Sequence, residues 1–291
     1  MPELPDLTIV AEAFDAALAG RQIDSATALA PLAVRGTPAE LAGLAGRRVS
    51  GVRQRGKFML IELDSGLIVF NPMLTGRFQL ARHEAKLPTK TALVLGFGPR
   101  PAGSSLDAAP WTRGAAWLPA DDLPVEVRYR DPTQMGKVYL APEGVDRPIS
   151  GLDASLGPDA DDPGLTLPVW QERIKRPPGE LKNLLKNQEF IAGIGNAYSD
   201  EVLHAAGLLP FRRRSTLAPE EVAVLHAATG STLVKAIGVL RERVPPAFET
   251  QVRDFLAVHN KGGQPCPRWG ARISEVSPGG FVTSFCRGCQ R

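Results

Sequence analysis

After a short opening stretch, the first half of the chain is built from brief apolar segments, each bounded by glycine or proline. They begin at Gly20-Arg21-Gln22-Ile23 and continue through Arg48 to Val52, Phe58 to Leu63, Leu67 to Phe70 and Gly76 to Ala81. Leu93 to Phe97 and Val125 to Tyr129 follow the same pattern. Runs this short, at this spacing, are too brief for helices and predict a β-sandwich or barrel-like domain. Leu67-Ile-Val-Phe70 is apolar throughout, as a strand covered on both faces would be. From Val169 the texture becomes helical, with helices expected over Leu181 to Lys186, Tyr198 to Ala206, Pro219 to Glu242 and roughly Thr250 to Val258.

The expectation is therefore an α+β chain of two domains, which 291 residues comfortably accommodate. The β-rich domain spans 1–145 and is flanked by helices. The stretch 146–168, with its Pro, Gly and Asp content, reads as a linker. A helical domain covers 169–258, and a hairpin covers 259–291. Within the first domain, 98–124 is rich in Pro, Gly and Ala and holds Trp111 and Trp117, and its length marks an insertion.

Composition excludes some classes. The chain is 43% hydrophobic and 22% charged, ordinary for a globular protein. No run of about eighteen apolar residues and no basic-then-apolar leader occurs, so the expected location is the cytoplasm, with no membrane contact. The net charge of +3 is modest. Its distribution says more: Arg47, Arg48, Arg53, Arg55 and Lys57 cluster early, and Arg173, Lys175, Arg176, Lys182, Lys186 and Arg212 to Arg214 cluster late. Each expected domain thus carries a basic segment that is either a solvated face or a nucleic-acid footprint. All three cysteines lie after residue 265, which excludes a disulfide framework and points to a small local site.

The opening Met1-Pro2-Glu3-Leu4-Pro5-Asp6 admits two readings. In one, Asp6 caps a helix over Leu7 to Leu18, and Pro2 and Glu3 lead in. In the other, removal of Met1 frees the secondary amine of Pro2 beside a carboxylate. An α-amino group titrates near pH 7.7–8, so a useful fraction is unprotonated at neutral pH. Attack on a sugar aldehyde carbon would give an iminium that cannot discharge by losing an N–H proton, a durable electron sink for elimination. Farther on, Gln188 to Pro210 places a Gly-Ile-Gly-Asn turn before a helix. Such a turn is either a tight helix connection or a helix N-terminus aimed at a phosphate.

Four stretches resemble, in order, the formamidopyrimidine-DNA glycosylase / endonuclease VIII family: the Pro-Glu-Leu-Pro-Asp start, Arg55-Gly-Lys57-Phe-Met-Leu-Ile-Glu-Leu63, Lys182 through Pro210, and Cys266 to Gln290. The resemblance implies a bifunctional enzyme that excises oxidised or ring-opened bases through a Schiff base on Pro2, with Glu3 and Lys57 completing the catalytic set and β,δ-elimination following. It implies a helix–two-turn–helix fold for the helical domain and a zinc-finger-like hairpin after it. It further implies double-stranded DNA with damaged bases or abasic sites as partner, bound by a monomer associated with the nucleoid. Lys182 and Asn196 fall on the family's phosphate-contacting positions, and Lys261 is a further DNA-binding candidate. Leu74 stands at the wedge position, although a core or turn leucine is an equal reading.

This sequence also departs from the pattern. In Asp131-Pro-Thr-Gln134-Met135-Gly136, Gln134 replaces the arginine that reads the opposite base, and Met135 replaces a wedging phenylalanine. A glutamine amide, with one donor and one acceptor face, discriminates differently. Cys266, Cys286 and Cys289 match three of four knuckle cysteines, while Trp269 occupies the fourth place. Either zinc is held with another ligand, His259 being the nearest histidine though badly directed, or Trp269 fills the metal's volume. Phe281 stands where the family often has a phosphate-gripping arginine, leaving Lys261, Arg268, Arg272 and Arg287 for the finger. The segment 240–256 lacks the family's longer, glycine-bearing lid, which predicts relaxed lesion selectivity. A non-catalytic damaged-DNA-binding protein of the same fold is the competing reading; retention of Pro2, Glu3 and Lys57 together argues for the enzyme.

Overall fold

The computed structural model describes residues 1–102, 108–144, 146–176, 178–277 and 280–291. Residues 103–107 of the expected insertion, 145 at the expected end of the first domain, 177 in the helical domain and 278–279 in the finger lie outside the described residues.

The chain forms two compact units: Met1–Leu152 with Leu240–Gln251, and Asp153–Val239 with Val252–Arg291. The stretch read as a linker therefore divides between them, and residues 240–251 group with the first unit.

In the first unit, helix α1 (Leu4–Leu18) precedes two sheets. Strands β1 (Ile23–Ala28), β6 (Arg77–Ala81), β7 (Thr91–Phe97) and β8 (Val125–Arg130) form one, in the order β1-β7-β8-β6. Strands β2 (Val34–Arg35), β3 (Val49–Arg55), β4 (Phe58–Leu63), β5 (Leu67–Asn71) and β9 (Lys137–Ala141) form the other, in the order β2-β9-β5-β4-β3. A short helix α2 (Pro38–Ala42) follows β2. As its sequence predicts, β5 is buried on both faces at Ile68, Val69 and Phe70. Phe70 meets Phe78 and Tyr129 of the other sheet at ring separations of 5.3 and 5.4 Å, and Phe14 of α1 stands edge-on to Phe78 at 6.1 Å. These tilted and edge-to-face rings form the apolar centre between the layers.

Helix α1 starts earlier than expected. Its N-cap is Glu3, and the Asp6 carboxylate accepts the Glu3 N–H at 2.8 Å, so the reciprocal capping pair is Glu3 and Asp6. The C-terminal end has no basic residue in its last turn. Two buried arginines serve its open carbonyls instead. Arg21 Nε donates to Ala17 O (2.8 Å), and Arg100 donates to Ala16 O (2.6 Å) and Ala19 O (3.0 Å). The same Arg21 guanidinium donates to Gly98 O, Leu123 O and Ala120 O, tying both ends of the 98–124 insertion to the helix. Farther along the insertion, Trp111 donates to Glu12, and Trp117 stands edge-on to Phe248 at 5.5 Å.

The second unit contains α3 (Leu167–Ile174), α4 (Leu181–Lys186), α5 (Asn196–Ala206) and most of α6 (Pro219–Arg243), with a hairpin of β10 (Ser274–Val276) and β11 (Thr283–Phe285). Helix α6 is the one helix among the described residues long and apolar enough on average to cross a membrane, with a mean hydropathy of 1.4 over its best window. Its sequence has no continuous apolar run, since Thr229, Ser231, Thr232 and Lys235 interrupt it, and Leu225, Leu233 and Leu240 are fully buried in the protein.

No helix forms over 250–258, against expectation. The backbone N–H groups of Ala257, Val258 and His259 instead donate to the carboxylate of Glu201, at 2.6, 2.8 and 2.9 Å. A carboxylate that accepts three amides removes the need for helical partners.

Candidate functional site

Pro2 and Glu3 are buried at the head of α1, where the sequence begins that helix immediately after them. Pro2 lines a cavity of about 20 Å³ together with Asp6, Leu7, Val10, Gly76, Arg77, Phe248 and Gln251. That is room for about one water, not for a base. Phe248 packs against Phe14 at 5.5 Å, and Gln251 accepts from Arg77 Nη2 (3.0 Å) and donates to Met1 O (3.3 Å). Val244, Phe248, Thr250 and Gln251 thus line the pocket, and Gln251 also holds the Met1 carbonyl. Lys57 is half-buried in the two-residue turn between β3 and β4, where Arg55 pairs with Phe58. Helix α1 is fixed to the first strand of this hairpin, since Asp15 Oδ1 accepts the Val52 N–H at 2.7 Å.

Leu74, Gln134 and Met135 come from two loops that one carboxylate joins. Asp131, only 1% exposed, accepts from Thr75 Oγ1, from Thr133 Oγ1 (3.2 Å) and from the Gly136 N–H (2.7 Å). Thr75 and Thr133 also share a hydrogen bond of 2.7 Å. Around this clasp, Leu74 is 43% and Met135 45% exposed, and Gln134 is exposed with a left-handed φ of 56°. Leu74 is therefore a surface leucine, which removes the core reading. Behind the loops lies the Tyr129 hydroxyl, without a hydrogen-bond partner; burial first, and Asp131 second, raise its pKa.

In the second unit, Asn196 opens α5 and its Nδ2 donates to Val282 O at 2.8 Å. Lys182 is buried, with Nζ 2.6 Å from Asp200 Oδ1 and 2.9 Å from the same Val282 carbonyl. Asp200 Oδ2 contacts His259 Nδ1 (2.8 Å) and accepts the Ser284 N–H (3.1 Å). The lysine expected on a phosphate is thus engaged inside the protein. Two other cations of the late clusters, and Arg268 of the finger, also pair within the protein, although none of the three is buried. Arg173 donates to Phe190 O and Glu189 O, Arg212 forms a double ion pair with Glu221, and Arg268 donates to His204 O and Ala205 O. Lys261 Nζ donates to Asp254 O at 3.0 Å, and Phe281 lies exposed beneath Lys186 Nζ.

The three cysteines converge. Cys266 Sγ is 3.9 Å from Cys289 Sγ, and the thiol of Cys286 interacts with both. Burial alone would raise the Cys286 thiol, but the N–H groups of Gly288 and Cys289 and the neighbouring thiols bring it below its ordinary value. Burial, then contacts with the other two thiols, pushes Cys289 up to about 12. Trp269 does not fill the space between them. It is 64% exposed and lies flat against Gly288, where an added Cβ would come within 2.2 Å of its ring. His259 is committed to Asp200. The histidine at the thiols is His204, whose Nε2 is 3.3 Å from Cys266 Sγ. The ligand atoms of His204, Cys266 and Cys289 all lie within 4.8 Å of one another. Sequence reading missed His204 because it lies far upstream of the finger. A signal was present: Asp200, Glu201 and His204 are three ionisable residues within a helix whose core-facing neighbours are Tyr198, Val202 and Leu203.

Comparison with known proteins bears on this arrangement. Residues 1–111 match the family model described as the formamidopyrimidine-DNA glycosylase N-terminal domain, and residues 156–244 match that of the formamidopyrimidine-DNA glycosylase H2TH domain. A protein of Geobacillus kaustophilus named formamidopyrimidine-DNA glycosylase is 30% identical over the full length of both chains. One of the same name from Pelotomaculum thermopropionicum is 28% identical, covering 100% of this chain and 99% of the relative. Among solved structures, a complex of the LlFpg protein with a THF-DNA and an inhibitor superposes with a TM-score of 0.82 at 25% identity over the whole of both chains. Lactococcus lactis Fpg in complex with an N7-benzyl-Fapy-dG containing DNA gives a TM-score of 0.80 at 24% identity, a likeness of fold.

Proposed function

Because the chain belongs to the formamidopyrimidine-DNA glycosylase family, and is a DNA repair glycosylase, we propose that it is also an abasic-site lyase working through the nitrogen of Pro2. The observation that carries this reading is the position of Pro2, at the head of α1, in the wall of a cavity also lined by Val244, Phe248, Thr250 and Gln251. Loss of Met1 would create the amine at the cavity wall and release the carbonyl that Gln251 holds. The nitrogen then attacks C1′ of the damaged nucleotide, and the bond to the base breaks as the base leaves with a proton. Glu3 assists opening of the sugar ring by protonating its oxygen, and the C1′ iminium withdraws electrons. Removal of a C2′ proton expels the 3′ phosphate, and a second elimination expels the 5′ phosphate. Water then hydrolyses the iminium and returns the proline.

Lys57 and the N-terminus of α5 with Asn196 are assigned to the DNA backbone. Lys182 contributes by fixing Val282 and Asp200. Leu74 and Met135 would occupy the space left by an extruded base, and Gln134 would face its former partner with weak selectivity. Oxidised or ring-opened bases are the expected substrates, with broad preference, since residues 244–251 form a short, fixed cover. The cysteine cluster is assigned to structural zinc, and the enzyme to a monomer acting on cytoplasmic DNA.

Sodium borohydride, which reduces the iminium to a stable amine, tests the proline mechanism on abasic-site DNA. Wild-type protein should give one covalent adduct, on Pro2 by peptide mass spectrometry, and Pro2→Gly should give much less. An undiminished adduct in the variant, or one on a lysine, would reject the mechanism.

The loop clasp gives a separate test. A Cβ at Gly136 would come within 2.0 Å of the Tyr129 hydroxyl and 3.0 Å of Asn71 O, so Gly136→Ala must displace the 131–136 loop. Such overpacking costs about 1–3 kcal/mol. Excision from duplex DNA should fall by about 10-fold or more, while excision from a single strand, which needs no wedge, should change little. Equal losses on both substrates in single-turnover assays would show that the loops do not assist extrusion.

A further inference from the structure

We propose that His204, on the last turn of α5, is the fourth ligand of the finger's metal, completing a Cys3His site with Cys266, Cys286 and Cys289. The inference rests on the assignment of structural zinc above and concerns which residue stands in for the cysteine that Trp269 replaces.

Three observations carry it. The first is spacing. In a tetrahedral zinc site with Zn–S of about 2.3 Å and Zn–N of about 2.0–2.1 Å, neighbouring sulfurs lie about 3.8 Å apart and a sulfur and a nitrogen about 3.5 Å. The separations here are 3.9 Å between Cys266 and Cys289 and 3.3 Å between Cys266 and His204 Nε2. The second is the setting of Cys286, whose sulfur meets the N–H groups of Gly288 and Cys289 as well as the other two thiols. The third is the way α5 is joined to the knuckle. Arg291 N donates to Gly207 O and Leu209 N to Arg291 O, at 2.9 and 3.0 Å. The side chain of Gln290 bridges Cys286 N, at 2.7 Å, to Leu208 O, at 2.8 Å. The second knuckle is therefore fixed to the turn directly after His204, and Arg268 from the first knuckle secures the His204 carbonyl at 3.1 Å. His204 is held at the thiols by backbone pairing and not by a chance rotamer.

Two consequences distinguish this site from one of four cysteines. The metal would bind a helix to the hairpin, making α5, which begins at Asn196, a part of the finger's fold. Three thiolates and a neutral imidazole also leave one formal negative charge around Zn²⁺ instead of two, which suits a surface meant for a polyanion.

The experiment uses the full chain, with zinc measured by elemental analysis and metal affinity by competition with a chelator. Cobalt substitution reports the ligand set through thiolate charge-transfer absorption. Wild-type protein should hold one metal per chain, and its cobalt form should show tetrahedral bands with three-thiolate intensity. His204→Cys should raise that intensity to that of four thiolates. His204→Ala should weaken metal affinity by more than about 10-fold, since loss of a direct ligand should cost at least as much as loss of an outer partner. Adding Trp269→Cys to His204→Ala should restore binding, which a misfolded variant could not do. Unchanged affinity and spectrum in His204→Ala would place the fourth ligand elsewhere while leaving the zinc assignment intact. Wild-type protein without metal would overturn both.

Discussion

Glu3→Gln is expected to slow release of a damaged base from duplex DNA by about 10²–10⁴-fold, the span of a lost general acid or base. Capture of a preformed abasic site under borohydride should persist, because that aldehyde carbon needs no leaving base. The substitution is chosen to spare the fold. Glu3 is the N-cap of α1 and 2% exposed, and a glutamine keeps its length and an oxygen for the first-turn amides. Single-turnover excision and adduct yield, measured on one preparation, separate the two steps. If both fall together while the melting temperature holds, Glu3 is needed to form the iminium itself and does more than open the sugar ring. If neither falls, it is only a cap.

Arg21→Leu is expected to be the most destabilising single change outside the chemistry. The guanidinium is fully buried and donates to the carbonyls of Ala17, Gly98, Ala120 and Leu123. Leucine would leave the Ala17, Gly98 and Leu123 carbonyls without this donor, and α1 without part of its C-terminal compensation, while Ala120 O keeps the Leu123 N–H at 3.2 Å. Each buried acceptor left unsatisfied costs about 1–3 kcal/mol, so the loss of three comes to several kcal/mol. For a unit of this size, that lowers the melting temperature by on the order of 10 °C. Calorimetry on wild type and variant checks it. A shift of a degree or two would mean that water replaces the guanidinium and that the insertion is held by its tryptophans alone.

The strands were legible because each is a short apolar run ended by glycine or proline, and their positions hold within a few residues from β3 to β8. Two were missed. β2 is only Val34–Arg35, and β9 begins just after a loop whose interest lay in Gln134 and Met135. The helix expected over 250–258 does not form, and its last two amides, with that of His259, go to Glu201, far away in sequence, which no local pattern contains. The site divides in the same way. Pro2, Glu3 and Lys57 could be named from motifs, whereas the closure of the Pro2 cavity by Phe248 and Gln251 depends on packing. Charge counting could not foresee that Lys182, Arg173 and Arg212 also pair within the protein. Trp269 and His204 show the converse: an apparent loss in the motif is matched by a side chain presented from a different element.

The Asp131 clasp bears on how a helix of DNA would be opened. Two loops that share one buried anion cannot advance independently, so a leucine from one and a methionine from the other would enter the stack as a single blade. On the proposed wedge role, probing along a duplex would have two positions, in or out, and a weakened base pair would be sensed by whether the whole blade goes in.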